Sequence, residues 1–279
     1  MFAKIMKHDF KTTSRPLGLV WGLSTLAVIG IIIMIWLLPQ SLGTAIGRST
    51  GNIVAVAGIS ASLVVTVLMY YQSMYGNTAF FIHMIPVRGR VIVSAKTIFY
   101  LGVWLSAIIV ALIQIILVNV NIMLKGGMST GDIWAAFQSV FSQINGTILT
   151  TAICVMVLLL LSYILWWEFV VTVGNRPEFV RFGKLGGLAV VAVLTWLVQQ
   201  LLTVALIFFV PGIIYLELTA GGIPEQWSFD ATARIPFSVS ADFGNQPLLP
   251  IGVLILIPLA IVFFWWFTAR SVERATALQ

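Results

Sequence analysis

Charge is scarce in this sequence. Lys and Arg number 15 and Asp and Glu 9 in 279 residues, 9% of the chain, against 60% hydrophobic residues and a mean hydropathy of +1.06. A water-soluble globule needs polar side chains over most of its surface, so that class is excluded and the surface must face lipid. Cysteine is nearly absent. Cys154 is the only one, and its place inside a long apolar run removes disulfide frameworks and Cys-rich metal sites. His8 and His83 are the only histidines, and the sequence has no HExxH, no paired Cys and no Gly-x-Ser-x-Gly elbow. No G-x-x-x-x-G-K-[ST] occurs either, since the run Gly183 to Gly187 lacks both the upstream glycine and the hydroxyl. No catalytic, cofactor-binding or metal-binding residue is therefore expected, and the chain is not expected to be an enzyme by itself. The net charge of +6 is spread singly between apolar blocks, which argues against nucleic acid as a partner and for membrane topology.

What is abundant is long apolar runs. A helix needs about 20 apolar residues to cross about 30 Å of hydrocarbon, and six segments qualify: Leu17 to Leu38, Gly51 to Tyr71, Thr97 to Leu124, Asn145 to Trp167, Leu185 to Leu216 and Leu248 to Thr268. The fifth can tilt or break at Pro211, and the sixth carries Pro250 and Pro258. The expected fold is an all-α integral membrane protein, one transmembrane domain over residues 1–279. With six spans both termini share a side. Placing them in the cytoplasm puts Lys4, Lys7, Lys11, Arg15, Arg88, Arg90, Lys96, Arg176, Arg181, Lys184, Arg270 and Arg274 inside, and only Arg48, Lys125 and Arg234 outside, as the positive-inside rule requires. Trp21, Trp166, Trp167, Trp265 and Trp266 fall near inner ends and Trp36 near an outer one, as in interfacial belts. The first run is longer than the core of a secretory signal and is read as a retained span. The expected location is a bacterial cytoplasmic membrane, multi-pass.

The connections carry their own signals. Phe2, Ile5, Met6 and Phe10 recur at roughly helical spacing with Lys4, Lys7, His8 and Lys11 on other faces, which predicts an interfacial helix over residues 1–15 with its lysines among headgroups. The outer segment 217–247, with Pro224, Trp227, Phe229, Pro236 and Phe237, is too apolar for a solvated loop. Broken helices re-entering the outer leaflet fit it, as does a small external cap. The inner loop over 72–96 would leave Phe80, Phe81, Ile82, Met84 and Ile85 facing water unless it meets the bilayer surface or another protein. Gly76 and Pro86 bracket room for two or three helical turns there. The second inner loop, Val173 to Lys184, reads as a secondary contact or a basic anchor.

Within the spans the polar residues are uncharged, and none of the nine acids falls near mid-membrane, where a proton- or sodium-coupled carrier would need one. Glu168, beside Trp166 and Trp167, reads as an interfacial anchor. Gln114, Asn119, Asn121, Gln199 and Gln200 must face a helix contact or a wet cavity, because lipid exposure costs an amide several kcal/mol. Helix packing is the commoner role. A translocation path lined by Gln114, Asn119, Gln199 and Gln200 is the sharper reading. Gly51, Ala55, Gly58 and Ser62 form a small-residue stripe, and Gly18 with Gly22 reads as a second close-approach pair.

At the inner loop, Tyr71, Tyr75 and Gly76, then Phe80, Phe81, Ile85, Pro86, Val87 and Arg88, then Ser94 and Lys96, resemble the Tyr-rich turn, Leu-Pro-Val motif and Ser-x-Lys entry of the ABC type-2 transporter permeases, with Ile85 in place of the usual leucine. The opening Ile5 to Phe10 resembles that family's interfacial elbow. With the six-span order, the resemblance covers most of the chain. It implies a permease subunit of an ATP-driven exporter that pairs with a second, identical or homologous permease, with membrane lipids around it. It also implies two cytoplasmic ATP-binding cassette subunits, which would hold ATP and Mg and hydrolyse the nucleotide, no cofactor being carried on this chain. Coupling to the cassettes would then fall to Tyr75, Gly76, Asn77, Phe80, Phe81, His83, Met84, Pro86, Val87 and Arg88. A non-transporting membrane assembly or sensor subunit is the alternative, and a multi-pass enzyme a distant third.

Overall fold

The computed structural model describes residues 2–76, 88–143, 146–209, 213–218, 224–230 and 248–277. Among them are helices α1 (Phe2–Leu37), α2 (Gln40–Tyr75), α3 (Gly89–Lys125), α4 (Thr130–Gln143), α5 (Gly146–Gly174), α6 (Pro177–Val180), α7 (Lys184–Phe209) and α8 (Ile251–Ala277), and strands β1 (Ile213–Leu218), β2 (Pro224–Asp230) and β3 (Leu248–Pro250). Six helices are long and apolar enough to cross a membrane: α1, α2, α3 and the stretches Leu149–Gly174, Gly186–Leu206 and Leu254–Arg274 of α5, α7 and α8. The chain is a multi-pass membrane protein. It divides into two compact units, Met1–Val140 and Phe141–Gln279.

In the first unit α1, α2 and α3 pack on one another, with α1 and α3 parallel and α2 running back between them. Val28, Ile31, Ile35, Val118 and Ile122 form its apolar cluster. Small residues let α2 approach closely. Its buried positions Gly43, Gly47, Gly51 and Ala55 recur every four residues, and a Cβ on Gly43 would stand 2.7 Å from the Ile35 carbonyl and one on Gly51 2.8 Å from Val118. The stripe therefore starts two turns earlier than the sequence suggested. A Cβ added at Gly18 or Gly22 would meet nothing within 4 Å, so this pair makes no close approach among the described residues of the chain.

The helices outrun the apolar segments. At 1.5 Å per residue, the 36 residues of α1 span about 54 Å, well beyond a hydrocarbon core of about 30 Å. Residues 2–15, expected to form a separate interfacial helix, are the uninterrupted first turns of α1, and Pro16 sits inside it without ending it. α4 is an amphipathic helix outside the six spans, with Ile133 buried and Trp134 and Phe141 exposed. Its start is a reciprocal cap. The Asp132 amide donates to Ser129 Oγ at 3.2 Å, while the Ser129 amide and hydroxyl donate to Asp132 Oδ2 at 3.1 and 2.7 Å.

In the second unit α5 packs on α7 and α8 around Leu165, Phe169, Val170, Val173, Val191 and Phe264. Gly187 touches the turn behind α5, since a Cβ there would lie 2.6 Å from the Gly174 carbonyl and 2.8 Å from that of Phe179. Beyond α7, β1 pairs antiparallel with β2 (Ile213 opposite Asp230, Leu216 opposite Trp227) and with β3 (Tyr215 opposite Leu248), in the order β2–β1–β3. Pro250 can end β3 because this strand lies at the sheet edge, and α8 follows at once. Where the segment 217–247 is described, at 217–218 and 224–230, it is strand and not broken helix, a small external cap being the other expectation; residues 219–223 and 231–247 lie outside the described residues.

Candidate functional site

The polar side chains of the first unit form a ladder between its helices. At the end where α1 and α3 begin and α2 finishes, Lys96 is wholly buried, and its Nζ donates to Asp9 Oδ1 and Oδ2, each at 3.2 Å, and to Ser73 Oγ at 2.8 Å. The three ammonium protons are thus matched. Ser73 passes its own proton to the Tyr70 carbonyl at 3.0 Å. Tyr70, Met74, Ile92 and Val93, all buried, keep water away, so the ion pair is strongly felt. Further along, Trp21 Nε1 donates to Ser62 Oγ at 3.0 Å, Trp104 Nε1 to Thr66 Oγ1 at 3.3 Å and Gln114 Nε2 to Ser24 Oγ at 2.9 Å. At the far end Trp36 Nε1 donates to Asn121 Oδ1 at 3.1 Å, and Lys125 Nζ donates to the Ile35 and Leu38 carbonyls.

This arrangement corrects several expectations. Lys96, read as a basic residue returning the loop to the interface, is a buried partner of Asp9. The buried face at the start of α1 is Ile5, Asp9, Thr13 and Leu17, and Phe10, expected on a stripe that dips into the bilayer, is 65% exposed on the protein surface, as a lipid-facing side chain would be. One signal pointed to Asp9: it is the only acidic residue before Asp132. Around it Lys4, Lys7, Lys11, Arg15, Arg88 and Arg90 are exposed, so this end of the unit presents a basic rim over one buried carboxylate.

Of the coupling residues, Tyr75 ends α2 with its ring 6.5 Å from that of Tyr71, Gly76 caps the helix by donating its amide to the Gln72 carbonyl at 3.1 Å, and exposed Arg88 is the N-cap of α3. Asn77, Phe80, Phe81, His83, Met84, Pro86 and Val87 lie outside the described residues. The Asp9–Lys96–Ser73 cluster ties together the two helix ends that flank them.

The four amides proposed for a path separate. Gln114 is buried against α1, and Asn119 donates to its own Ile115 carbonyl at 2.8 Å. Gln199 and Gln200 instead line a cleft of about 300 Å³ within the second unit, between α5, α7 and α8, with Ser162, Trp166, Trp196 and Thr203. Trp166 is held there by donating its indole N–H to Thr195 Oγ1 at 2.9 Å. Nearby, Glu168 is buried at 2% exposure and not at a surface edge as an interfacial anchor would be. Arg176, between α5 and α6, donates to Ser271 Oγ at 2.7 Å and stacks 4.8 Å over Phe267, tying α6 to α8. No group of three His, Cys, Asp or Glu side chains that could hold a metal ion occurs among the described residues.

No protein-family model matches this chain, and no curated protein or solved structure matches it.

Proposed function

We propose that the chain is the membrane permease subunit of an ATP-driven ABC-type exporter. It would work with a second permease and with two separate ATP-binding cassette subunits that supply the nucleotide chemistry. The observation that carries this reading is the connection between α2 and α3. Its sequence holds Phe80, Phe81, Met84 and the Ile85-Pro86-Val87 motif, and the helices on either side of it are clamped to each other and to α1 by the buried Asp9–Lys96–Ser73 cluster.

A loop that receives a push is useful only if the push moves whole helices. Lys96 lies seven residues into α3 and Ser73 two residues from the end of α2, so the clamp sits within about 10 Å of the loop. Displacing the loop therefore displaces three helices together, the rigid-body movement that alternating access requires. The exposed basic rim supports the reading that this end faces the cytoplasm, by the positive-inside rule, and the membrane proposed is the bacterial cytoplasmic one. The chain itself, with no Walker motif, takes no part in hydrolysis.

Purification of the chain with soluble partners tests the proposal. A stable complex with a Walker-containing ATPase is expected, and Phe80→Asp or Met84→Asp should abolish its assembly or ATPase activity while leaving the permease folded. Unchanged assembly and activity in both variants would favour a non-transporting sensor or assembly subunit instead.

A further inference from the structure

We infer that the cleft between α5, α7 and α8 is a binding site for the uncharged, hydrogen-bonding headgroup of an amphipathic molecule drawn from the bilayer, such as a glycerol hydroxyl or an ester. The lining residues all belong to the membrane-crossing stretches Leu149–Gly174, Gly186–Leu206 and Leu254–Arg274, so a ligand arrives from lipid and not from bulk water. None of them is charged, and an ionised headgroup would find no counter-charge there. What the cleft does offer is neutral polar groups in want of partners. Ser162 is nine-tenths buried and lines the cleft, yet its hydroxyl has no hydrogen bond among the described residues. Thr203 on the same cleft and Thr195 beside it donate instead to their own helix backbone, the usual resolution in an apolar helix. The side-chain amides of Gln199 and Gln200 likewise make no hydrogen bond among the described residues. Three unpartnered polar groups facing one cleft at membrane depth are costly unless something bonds them.

Size narrows the ligand. About 300 Å³ is at the lower end of small-molecule sites and equals the liquid volume of about ten waters. It fits a glycerol-sized headgroup with the start of a chain, not a whole phospholipid. Leu256, Ile257 and Ala260 of α8 supply the apolar wall for that chain, and Trp166 and Trp196 the aromatic surfaces beside it. The inference rests on the proposed function only in regarding this molecule as cargo; the binding itself needs no ATPase.

The test uses the full chain alone in lipid nanodiscs, with a monoacylglycerol carrying a diazirine beside its headgroup as probe. Photolabelling is expected to concentrate on peptides from α5 and α7, to be competed by unlabelled monoacylglycerol, and to resist competition by the same chain length as a free fatty acid. Ser162→Val and Gln199→Leu should each weaken labelling by about tenfold, the loss of one hydrogen bond in an apolar site. Exposed Gln200→Leu provides a reading should a buried variant fail to fold, and Gly22→Ala in the first unit should label like the parent. Labelling spread evenly over all spans, equal labelling in the cleft variants, or better competition by the fatty acid would overturn the site. So would loss of labelling on dimer formation, which would make the occupant a second copy's helix. If labelling behaves as expected but no ATPase co-purifies, the site stands and the exporter reading falls.

Discussion

The buried ion pair in the first unit gives a prediction with a defined size. Lys96 has no solvent exposure and Asp9 is 4% exposed, so removing the carboxylate with Asp9→Leu leaves an ammonium facing Ser73 and apolar side chains. Breaking a buried pair on one side costs about 3–5 kcal/mol, a shift of roughly 10²–10⁴ in the folding equilibrium. Lys96→Met should cost a similar amount by stranding Asp9. The double variant Asp9→Leu/Lys96→Met removes both charges with side chains of comparable bulk, and such replacements are often neutral or stabilising. Ser73 donates to the Tyr70 carbonyl, a bond that none of these substitutions removes directly. The double-mutant cycle should therefore show a coupling of about 3 kcal/mol or more, at or above the top of the usual range for contacting residues. Unfolding by SDS in mixed micelles, followed by tryptophan fluorescence, measures it, because Trp21 and Trp104 bridge the same helices. An Asp9→Leu variant within about 0.5 kcal/mol of the parent, or a double variant no more stable than the worse single one, would refute the burial argument.

Other consequences are smaller and local. Gly187→Ala should lower stability by about 1–3 kcal/mol, since its new methyl meets two backbone carbonyls at 2.6 and 2.8 Å, whereas Gly22→Ala, with open space around it, should be neutral or slightly stabilising in the same micelle assay. Gln114→Leu should cost about 1 kcal/mol, the typical worth of an interhelical hydrogen bond in a membrane, and should leave transport intact if Gln114 serves only to hold α3 to α1. The Asp132 carboxyl is held below 3.8 first by the Ser129 hydroxyl and then by its amide. Its folded pKa lies below the unfolded one, so the cap is fully effective above pH 3.8 and is lost as pH falls through the lowered value. NMR shifts of Ser129 and Gly131 should report that loss in the parent and show no such titration in Asp132→Asn.

How far the sequence could be read follows from which forces leave a periodic trace. Six spans were visible because lipid demands unbroken apolar length. Their true ends were not, because residues 2–16, 40–50 and 89–96 continue the helices under protein contact where lipid no longer sets the composition. Asp9 and Lys96 are 87 residues apart, and nothing local tells a buried charge from a headgroup-facing one, although a lone acid among many basic residues on one terminus was a clue. α4 went unread although Ser129 and Asp132 have capping-box spacing, because a search for span-length apolar runs passes over a 14-residue amphipathic helix. Gln199 and Gln200 were singled out for the right physical reason, the cost of an exposed amide, but Ser162 drew no attention, since a lone serine in an apolar helix ordinarily bonds its own backbone.

The continuity of α1 carries the last prediction. If the clamp transmits motion, the residues between Asp9 and the membrane-crossing part of α1 must be stiff, and the structure makes them helix throughout, past Pro16. Lys11, Thr12 and Ser14 lie off the buried face, so replacing all three with Gly softens this stretch by about 1–2 kcal/mol of helix propensity without touching Asp9, Thr13 or Leu17. In the proposed complex with ATPase subunits, a spin label at Leu23, 66% exposed on α1, should change its accessibility to oxygen when ATP is added, and should cease to do so in the triple-glycine variant while ATP hydrolysis continues. A flexible joint dissipates the displacement that a rigid helix passes on. An ATP-driven change at Leu23 that survives the softening would show that α1 is moved from its membrane-embedded contacts and not from the Asp9–Lys96 end.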